Sequence, residues 1–372
     1  MKRNIDALFL CATPYQIIAG IALKKSLNIS ADIYITDQQL NYKESASRIE
    51  KLGIFDAVQL TPRSEIRSTI YTLKNPRPFI KRLLVLRSYF SVDWVAEKSL
   101  IPDTEYKAMF ASSRELVGRL IWYHFLKHDC PMDFYYFDDG EGSYDNTDKI
   151  KRVGKMEAVV RTILFGRKSA YIDYPQYLYS PELYRAINPD KNNIELRKIP
   201  NIHDDPQMKE IINTIYDFPE DGAIRERVIY IDTVREEKKL DYSLLDQILQ
   251  QISECFGPDN IMVKKHPRDI TPAQDGYHVY KYNGLPFESI CLNSDISSKV
   301  VIAVRSTAAI TPKLLLDQEP RVIALYKILG DYTEKMDHMY RACKALYQDP
   351  ERFAIPETLD ELSEVLKRFR QD

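Results

Sequence analysis

Short apolar runs alternate with amphipathic segments along the first part of the chain. The runs at residues 7–11, 31–36 and 57–60 have the length and largely apolar character of buried strands. Residues 14–27 and 44–52 instead repeat their apolar positions at helical spacing. This β-α-β-α-β order predicts a parallel sheet covered by helices.

The same alternation restarts near residue 228. The predicted strands are 228–232, 261–265, 277–280, 300–304 and 321–325, and the predicted helices are 243–256, 286–292, 336–347 and 358–368. Residues 201–226 hold prolines, an acidic cluster and an Asp-Gly pair, which predicts a linker. We therefore expect an α/β protein with two Rossmann-like, doubly wound domains, 1–200 and 227–372, and a cleft between them.

One predicted strand ends in a way that packing does not require. The aromatic run 134–137 is followed at once by Asp138, Asp139 and Gly140. Glycine permits a sharp turn with positive φ, which would leave both acids at the carboxyl end of the strand, where open α/β sheets bind ligands. An acidic loop that is merely solvated is the alternative. Two adjacent like charges raise one another's pKa, a useful property in a general base.

A second polar strand end lies in the other half of the chain. The predicted strand 261–265 ends in Lys264 and Lys265, His266 and Pro267 follow it, and Arg268 adds another cation. An imidazole among cations suits a phosphate whose charge grows as a bond breaks. The alternative is a histidine that simply ends a strand.

Two more candidates follow in the same half. Ser306 and Thr307 follow strand 300–304 after Arg305, where hydroxyls can cap a helix whose free N–H groups favour an anion. Pro312 predicts that this helix is kinked or restarts at Thr311. Glu288, in the first turn of helix 286–292, is a candidate acceptor for ribose hydroxyls. An ordinary N-cap and an acid favoured by the helix dipole are the alternatives.

Composition narrows the function classes. The chain has 372 residues, is 44% hydrophobic and 28% charged, and carries a net charge of −2, which gives no general attraction to nucleic acid. The five cysteines show no paired spacing, so we expect a reducing compartment without disulfides or a zinc cluster. Neither a GxxxxGK[ST] motif nor a GxGxxG motif occurs, so an ATPase and a dehydrogenase lose their main support.

The N-terminus and residues 74–90 raise the question of membranes. The apolar start resembles a short signal peptide, but Thr13, Pro14, Tyr15 and Gln16 indicate a helix start instead, with Thr13 as N-cap. No run of 18 apolar residues predicts a membrane span. Residues 74–90 interleave basic and apolar side chains, which is typical of a segment that contacts an anionic membrane or binds an acidic acceptor. The alternative is an ordinary surface helix whose basic side chains are solvated.

The order of three short motifs resembles the bacterial sialyltransferases. Their acidic triplet, His-Pro pair and serine pair correspond to Asp138-Asp139-Gly140, His266-Pro267 and Ser306-Thr307. The segment 12–16, Ala-Thr-Pro-Tyr-Gln, is most similar to glycosyltransferase family 52, which includes lipooligosaccharide and capsule sialyltransferases. The third motif is Ser-Thr here in place of Ser-Ser. The resemblance spans most of the chain, although each motif is only two or three residues long.

The resemblance implies a GT-B fold, CMP-sialic acid as donor, inversion at the anomeric carbon and no metal. With it we expect an oligosaccharide acceptor, such as a terminal galactose of a surface glycan. We also expect a cytoplasmic enzyme, with peripheral contact to the inner membrane through residues 74–90. At least one structurally known member is a homodimer, which makes a homodimer an expectation here.

The resemblance also assigns roles to residues. One acid of the pair would be the general base, with Asp139 favoured over Asp138. His266, Ser306 and Thr307 would bind the leaving phosphate, with Lys265, Pro267 and Glu288 as further donor-binding candidates. Residues on the substrate side would be Thr13, Pro14, Tyr15, Gln16 and Gly140.

Two alternative functions stay open. Family 52 also includes glucosyltransferases, so a nucleotide-glucose donor is one alternative. The other is a non-catalytic carbohydrate- or Ca²⁺-binding protein that uses the acidic loop, although Asp145 and Asp148 lack the EF-hand spacing.

Overall fold

The chain forms two compact units, Met1–Pro200 and Asn201–Asp372, in a computed structural model. The structure describes residues 3–72, 77–101, 104–112, 115–144, 155–170, 174–232, 240–266, 276–330 and 332–371. The predicted site residue Pro267 lies outside these ranges, as do Asp145, Asp148 and Arg268.

The first unit is built on a parallel sheet of seven strands in the order β3-β2-β1-β4-β5-β6-β7. Strand β2 (Ala31–Thr36) is buried at all six positions, as expected for a parallel strand covered on both faces. The strands are β1 (Arg3–Cys11), β2 (Ala31–Thr36), β3 (Ala57–Thr61), β4 (Thr104–Ala111), β5 (Asp133–Phe137), β6 (Gln176–Leu178) and β7 (Leu196–Lys198).

Helices connect these strands. Thr13 caps the first helix and a left-handed Asn28 ends it, while Gly53 ends the second helix at φ 62°. The helices of this unit are α1 (Pro14–Leu27), α2 (Tyr42–Leu52), α3 (Arg63–Ile70), α4 (Pro78–Ser88), α5 (Val92–Lys98), α6 (Leu116–Lys127), α7 (Glu141–Tyr144), α8 (Lys155–Phe165) and α9 (Pro181–Ile187).

The second unit repeats the plan with six parallel strands in the order β10-β9-β8-β11-β12-β13. The strands are β8 (Val228–Ile231), β9 (Ile261–Lys264), β10 (His278–Val279), β11 (Val300–Ala303), β12 (Arg321–Ala324) and β13 (Phe353–Ala354). The helices are α10 (Pro206–Tyr216), α11 (Tyr242–Phe256), α12 (Phe287–Asn293), α13 (Thr311–Leu316), α14 (Glu334–Ala345) and α15 (Leu359–Gln371).

Counted from its own first strand, the second sheet has the strand order 3-2-1-4-5-6, and the first sheet has the same order with a seventh strand added after the sixth. This is the doubly wound Rossmann order. The second and third strands are added on one side of the first strand, and the fourth and later strands are added on its other side. The predicted fold class is therefore confirmed: the chain is α/β, with the two Rossmann-like units from which a GT-B protein is built. The predicted cleft between them stays a prediction.

Residues 201–226, predicted as a linker, belong to the second unit and contain α10. Pro206 does not break this helix, because it occupies the first turn behind the N-cap Asp205, where a missing N–H costs nothing. The helix buries Met208, Ile212 and Ile215. Helix α9 begins in the same manner, with Ser180 as cap and Pro181 behind it.

The basic segment predicted at 74–90 corresponds in part to α4 and the 3-10 turn Tyr89–Ser91. Val85 and Leu86 pack against the core of the first unit, whereas the side chains of Leu83 and Phe90 are exposed at 47% and 73%. Within the described ranges, no helix combines the length and apolar character needed to cross a bilayer. None of the five cysteines, all of which lie in the described ranges, forms a disulfide.

Candidate functional site

The acid pair lies at the carboxyl end of β5, as the sequence predicts. Gly140 has φ 86°, so the chain turns sharply directly after Asp139 and enters the short helix α7. The two adjacent carboxylates differ sharply in their surroundings: Asp138 is fully buried, and Asp139 is partly exposed.

Asp138 is held entirely by donors from the protein. One carboxylate oxygen accepts the Gly140 N–H at 2.8 Å, and the other accepts the Tyr179 N–H at 3.1 Å and the Tyr144 hydroxyl. Burial raises the pKa of Asp138 to about 7 and the charge of Asp139 acts in the same direction, although these hydrogen bonds favour the ionised form. A carboxylate enclosed in this way fixes the turn.

Asp139 is oriented by two serine hydroxyls. Ser112, directly after β4, donates to one carboxylate oxygen, and Ser143 of α7 donates to the other at 2.9 Å. The Ser143 hydroxyl also accepts the Asp139 N–H at 2.8 Å, which fixes the backbone as well. A partly exposed carboxylate with a fixed orientation is the arrangement that a general base needs.

The loop after β1 lies at the same edge of the sheet. Thr13 accepts the Gln16 N–H at 3.3 Å, and the Gln16 side chain accepts the Ala12 N–H at 2.6 Å. The predicted helix start is thus confirmed, with the reciprocal bond displaced by one residue from a standard capping box. The Tyr15 ring lies edge-on to Tyr179, with ring centres 5.9 Å apart. Because the Tyr179 N–H binds Asp138, this contact joins the β1 loop to the acid pair.

In the second unit, the end of β9 and the residues after it hold two buried lysines and a more open histidine. Lys264 is buried, and its ammonium donates to the backbone and side-chain oxygens of Asn283 at 2.8 and 3.2 Å. Burial lowers the pKa of Lys264 to about 8, against the attraction of Glu288. Lys265 is also buried, whereas His266 is partly exposed.

Glu288 lies in the first turn of α12 and interacts with Lys264. Burial raises the pKa of Glu288 above its usual value, and the Lys264 ammonium opposes this shift. The Lys264–Asn283 hydrogen bonds tie the segment before α12 to the end of β9, and so hold Glu288 near that strand end. Its predicted role towards ribose stays a prediction.

Ser306 caps a 3-10 turn, Thr307–Ala309, by accepting the Ala308 N–H at 3.2 Å. Its backbone N–H donates to the Tyr340 hydroxyl at 3.0 Å, which anchors the turn to α14. The helix restarts as α13 with Pro312 in its first turn, which confirms the restart at Thr311. A single turn offers fewer free N–H groups than the helix end that the sequence predicts.

Strand order shows which candidates come together within each unit. In the first unit, Thr13, Ser112, Asp139 and Tyr179 follow the neighbouring strands β1, β4, β5 and β6. In the second unit, His266 and Ser306 follow β9 and β11, which are separated by β8 and therefore by roughly 10 Å. Asp232 ends β8 between them, and its N–H donates to the Lys264 carbonyl at 3.0 Å.

Sequence reasoning missed the residues that orient the acid pair, which are Ser112, Ser143, Tyr144 and Tyr179. The signal for Ser112 was available, because a hydroxyl shortly after a buried strand is the feature that singled out Ser306. Among the described residues, the group suited to metal binding is Asp93, His124 and His128, and it includes neither acid of the pair.

Comparison with known proteins gives a similarity in structure only. No family model and no curated protein matches the sequence. A putative UDP-N-acetylglucosamine 2-epimerase from Listeria monocytogenes is similar at TM-score 0.49 and 11% identity, over 100% of this chain and 91% of that one. Spinosyn rhamnosyltransferase SpnG is similar at TM-score 0.48 and 12% identity, over 98% of this chain and 90% of that one.

A third solved structure, UDP-GlcNAc 2-epimerase from Neisseria meningitidis bound to UDP-GlcNAc, is similar at TM-score 0.46 and 10% identity, over 98% of this chain and 94% of that one. Similarity at this level does not specify a substrate. The class of the fold therefore rests on the strand order of the two sheets, and the chemistry rests on the side chains at their carboxyl ends.

Proposed function

We propose that the chain is an inverting glycosyltransferase that moves sialic acid from CMP-sialic acid to a terminal sugar, such as galactose, of a surface glycan. The observation that carries the transferase assignment is the state of Asp139, which is partly exposed and held by Ser112 and Ser143. The motif order that the chain shares with family 52 supports the choice of donor.

In this proposal Asp139 is the general base. It takes the proton from an acceptor hydroxyl while that oxygen forms a bond to the anomeric carbon of the donor. The bond from that carbon to the CMP phosphate breaks on the opposite side, and its electron pair leaves with the phosphate. Positioned bases of this kind contribute about 10²–10⁴ in rate.

His266 and the hydroxyls of Ser306 and Thr307 bind the phosphate as its charge grows. Loss of one such donor typically costs about 3 kcal/mol of transition-state stabilisation. A monophosphate leaving group carries less charge than a diphosphate, so the proposal needs no metal. Asp138 acts as a positioning residue, since it holds the turn that presents Asp139.

The test is a transfer assay with the full chain and a galactose-terminated acceptor. The chain is incubated with CMP-sialic acid or with UDP-glucose, and the released nucleotide is identified. Acceptor-dependent release of CMP supports the proposal. Release of UDP identifies the glucosyltransferase alternative, and glycan binding without release of either nucleotide identifies a binding protein.

A further inference from the structure

A cluster of two histidines and one carboxylate lies far from the candidate site. His124 is in the last turn of α6 and His128 ends that helix, so the two side chains are four residues apart on one face. Asp93 comes from the first turn of α5. Because α6 starts beside the carboxyl end of β4 and runs back to the start of β5, its last turn lies at the opposite edge of the sheet.

The three side chains converge on one oxygen atom. Oδ1 of Asp93 lies 2.8 Å from Nδ1 of His124 and 2.9 Å from Nε2 of His128. The imidazole centres are 4.6 Å apart, and the side-chain exposures are 47% for Asp93, 23% for His124 and 55% for His128. The three side chains are therefore already in contact with one another, and they are exposed enough for an ion to reach them.

From this geometry we infer that Asp93, His124 and His128 form a site for a divalent transition metal ion such as Zn²⁺. Imidazole and carboxylate are ligands that Zn²⁺ prefers, and three protein ligands leave a fourth position for water. Ligand atoms around a tetrahedral zinc ion are about 3.3 Å apart, so the observed contacts need to open by roughly half an ångström. Rotation of side chains this exposed can provide that movement.

The two histidines would bind the ion as neutral imidazoles. A neutral imidazole binds a metal without first losing a charge. Each ring nitrogen that now donates to Asp93 would bind the ion, with the ring proton on the other nitrogen.

The neighbouring Lys127 distinguishes a metal site from a purely electrostatic cluster. Its ammonium lies 2.5 Å from Oδ2 of Asp93, so one carboxylate oxygen is held by a cation and the other faces the histidines. Burial, which alone would raise the pKa of Asp93, is outweighed by the bonds from Lys127, His128 and His124, so its pKa lies well below the usual value. A purely electrostatic cluster uses Lys127 as a stabilising partner, whereas a metal ion is repelled by it.

The proposed ion would join α5 to α6. These helices already pack through Val92, Val95 and Leu120 in the core of the first unit.

Thermal unfolding of the full chain with and without Zn²⁺, together with calorimetric titration by Zn²⁺, tests the site. We expect one bound ion and a rise in the unfolding temperature. Visible absorption by bound Co²⁺ would report nitrogen and oxygen ligands.

Variants separate the proposal from the electrostatic alternative. His128→Asn should lower the Zn²⁺ affinity by at least about 100-fold, whereas His338→Asn, at an exposed position in the second unit, should leave it unchanged. Lys127→Gln should tighten Zn²⁺ binding several-fold while it lowers stability without metal. The proposal is overturned if Zn²⁺ does not bind, if His338→Asn weakens binding equally, or if Lys127→Gln weakens it.

Discussion

The hydroxyl of Ser112, at the end of β4, donates a hydrogen bond to the carboxylate of Asp139, at the end of the neighbouring strand β5. This bond connects two strand ends that are far apart in sequence and close in the sheet. The two acids differ in their partners. Asp139 accepts from the Ser112 hydroxyl, whereas Asp138 accepts from the buried donors of Gly140, Tyr144 and Tyr179.

The separation of roles predicts different outcomes for the two amide substitutions. Asp139→Asn should reduce kcat by about 10²–10⁴ with little change in stability, because it removes a base that is not enclosed. The measurement is the rate of acceptor-dependent nucleotide release. Asp133→Asn, in an exposed ion pair with Lys168 at the start of the same strand, is the matched control and should keep full activity. A fully active Asp139→Asn enzyme would refute its assignment as base.

The serine hydroxyls should act only through Asp139. Ser112→Ala and Ser143→Ala each remove one bond that orients the carboxylate, so kcat should fall by roughly tenfold with little change in KM. In an Asp139→Asn background the same substitutions should cost little more, since there is no base left to orient. A double-mutant cycle measures this coupling. Additive losses would show that the serines act independently of Asp139.

The raised pKa of Asp138 predicts a particular dependence of stability on pH. The folded pKa of about 7 exceeds the usual aspartate pKa of 3.8, so between these values the folded chain holds a proton that the unfolded chain releases. The contribution of Asp138 is therefore fully present below about pH 4 and is lost as the pH rises to about 7. The free energy of unfolding of the native chain relative to Asp138→Asn should fall by about 1.4 kcal/mol per pH unit in that window.

Urea unfolding of both proteins at several pH values measures this difference. A constant difference between pH 4 and pH 7 would show that Asp138 keeps an ordinary pKa despite its burial.

The predicted membrane contact can be tested by substitutions on the exposed side of α4. Leu83, Arg87 and Phe90 are spaced so that they share one side of the helix and the following turn, and Leu83 and Phe90 are strongly exposed. The double change Leu83→Ser and Phe90→Ser should weaken binding to anionic vesicles in a sedimentation assay and leave activity on a water-soluble acceptor unchanged. Leu40→Ser, at another exposed leucine, is the control. Vesicle binding that resists the double change would exclude this surface.

The sequence predicted the sheets well because parallel strands are buried on both faces and stand out as apolar runs. Helix α1 and strand β2 have the predicted bounds, since Thr13 and Asn28 mark the ends of the helix. Helix α10 was missed because a proline in its first turn has the same appearance as a proline in a linker. Only the burial of Met208 and its neighbours distinguishes the two.

Around the acid pair, only the two acids and Gly140 were predictable from the sequence. Two acids after a strand indicate chemistry, yet their neighbours in space come from β4, α7 and the segment after β6. Those contacts depend on which strands pair, and local sequence does not specify pairing. The difference in burial between Asp138 and Asp139 follows from the same pairing, so sequence alone could only favour one of them.

The most direct test of the central claim is a single transfer assay in the presence of EDTA, with CMP-sialic acid, a galactose-terminated acceptor and three proteins: the native chain, Asp139→Asn and His266→Ala. The account predicts acceptor-dependent release of CMP by the native chain at an undiminished rate, and losses of about 10² or more in both variants. Native-like release of CMP by either variant, or no release by the native chain, would contradict it.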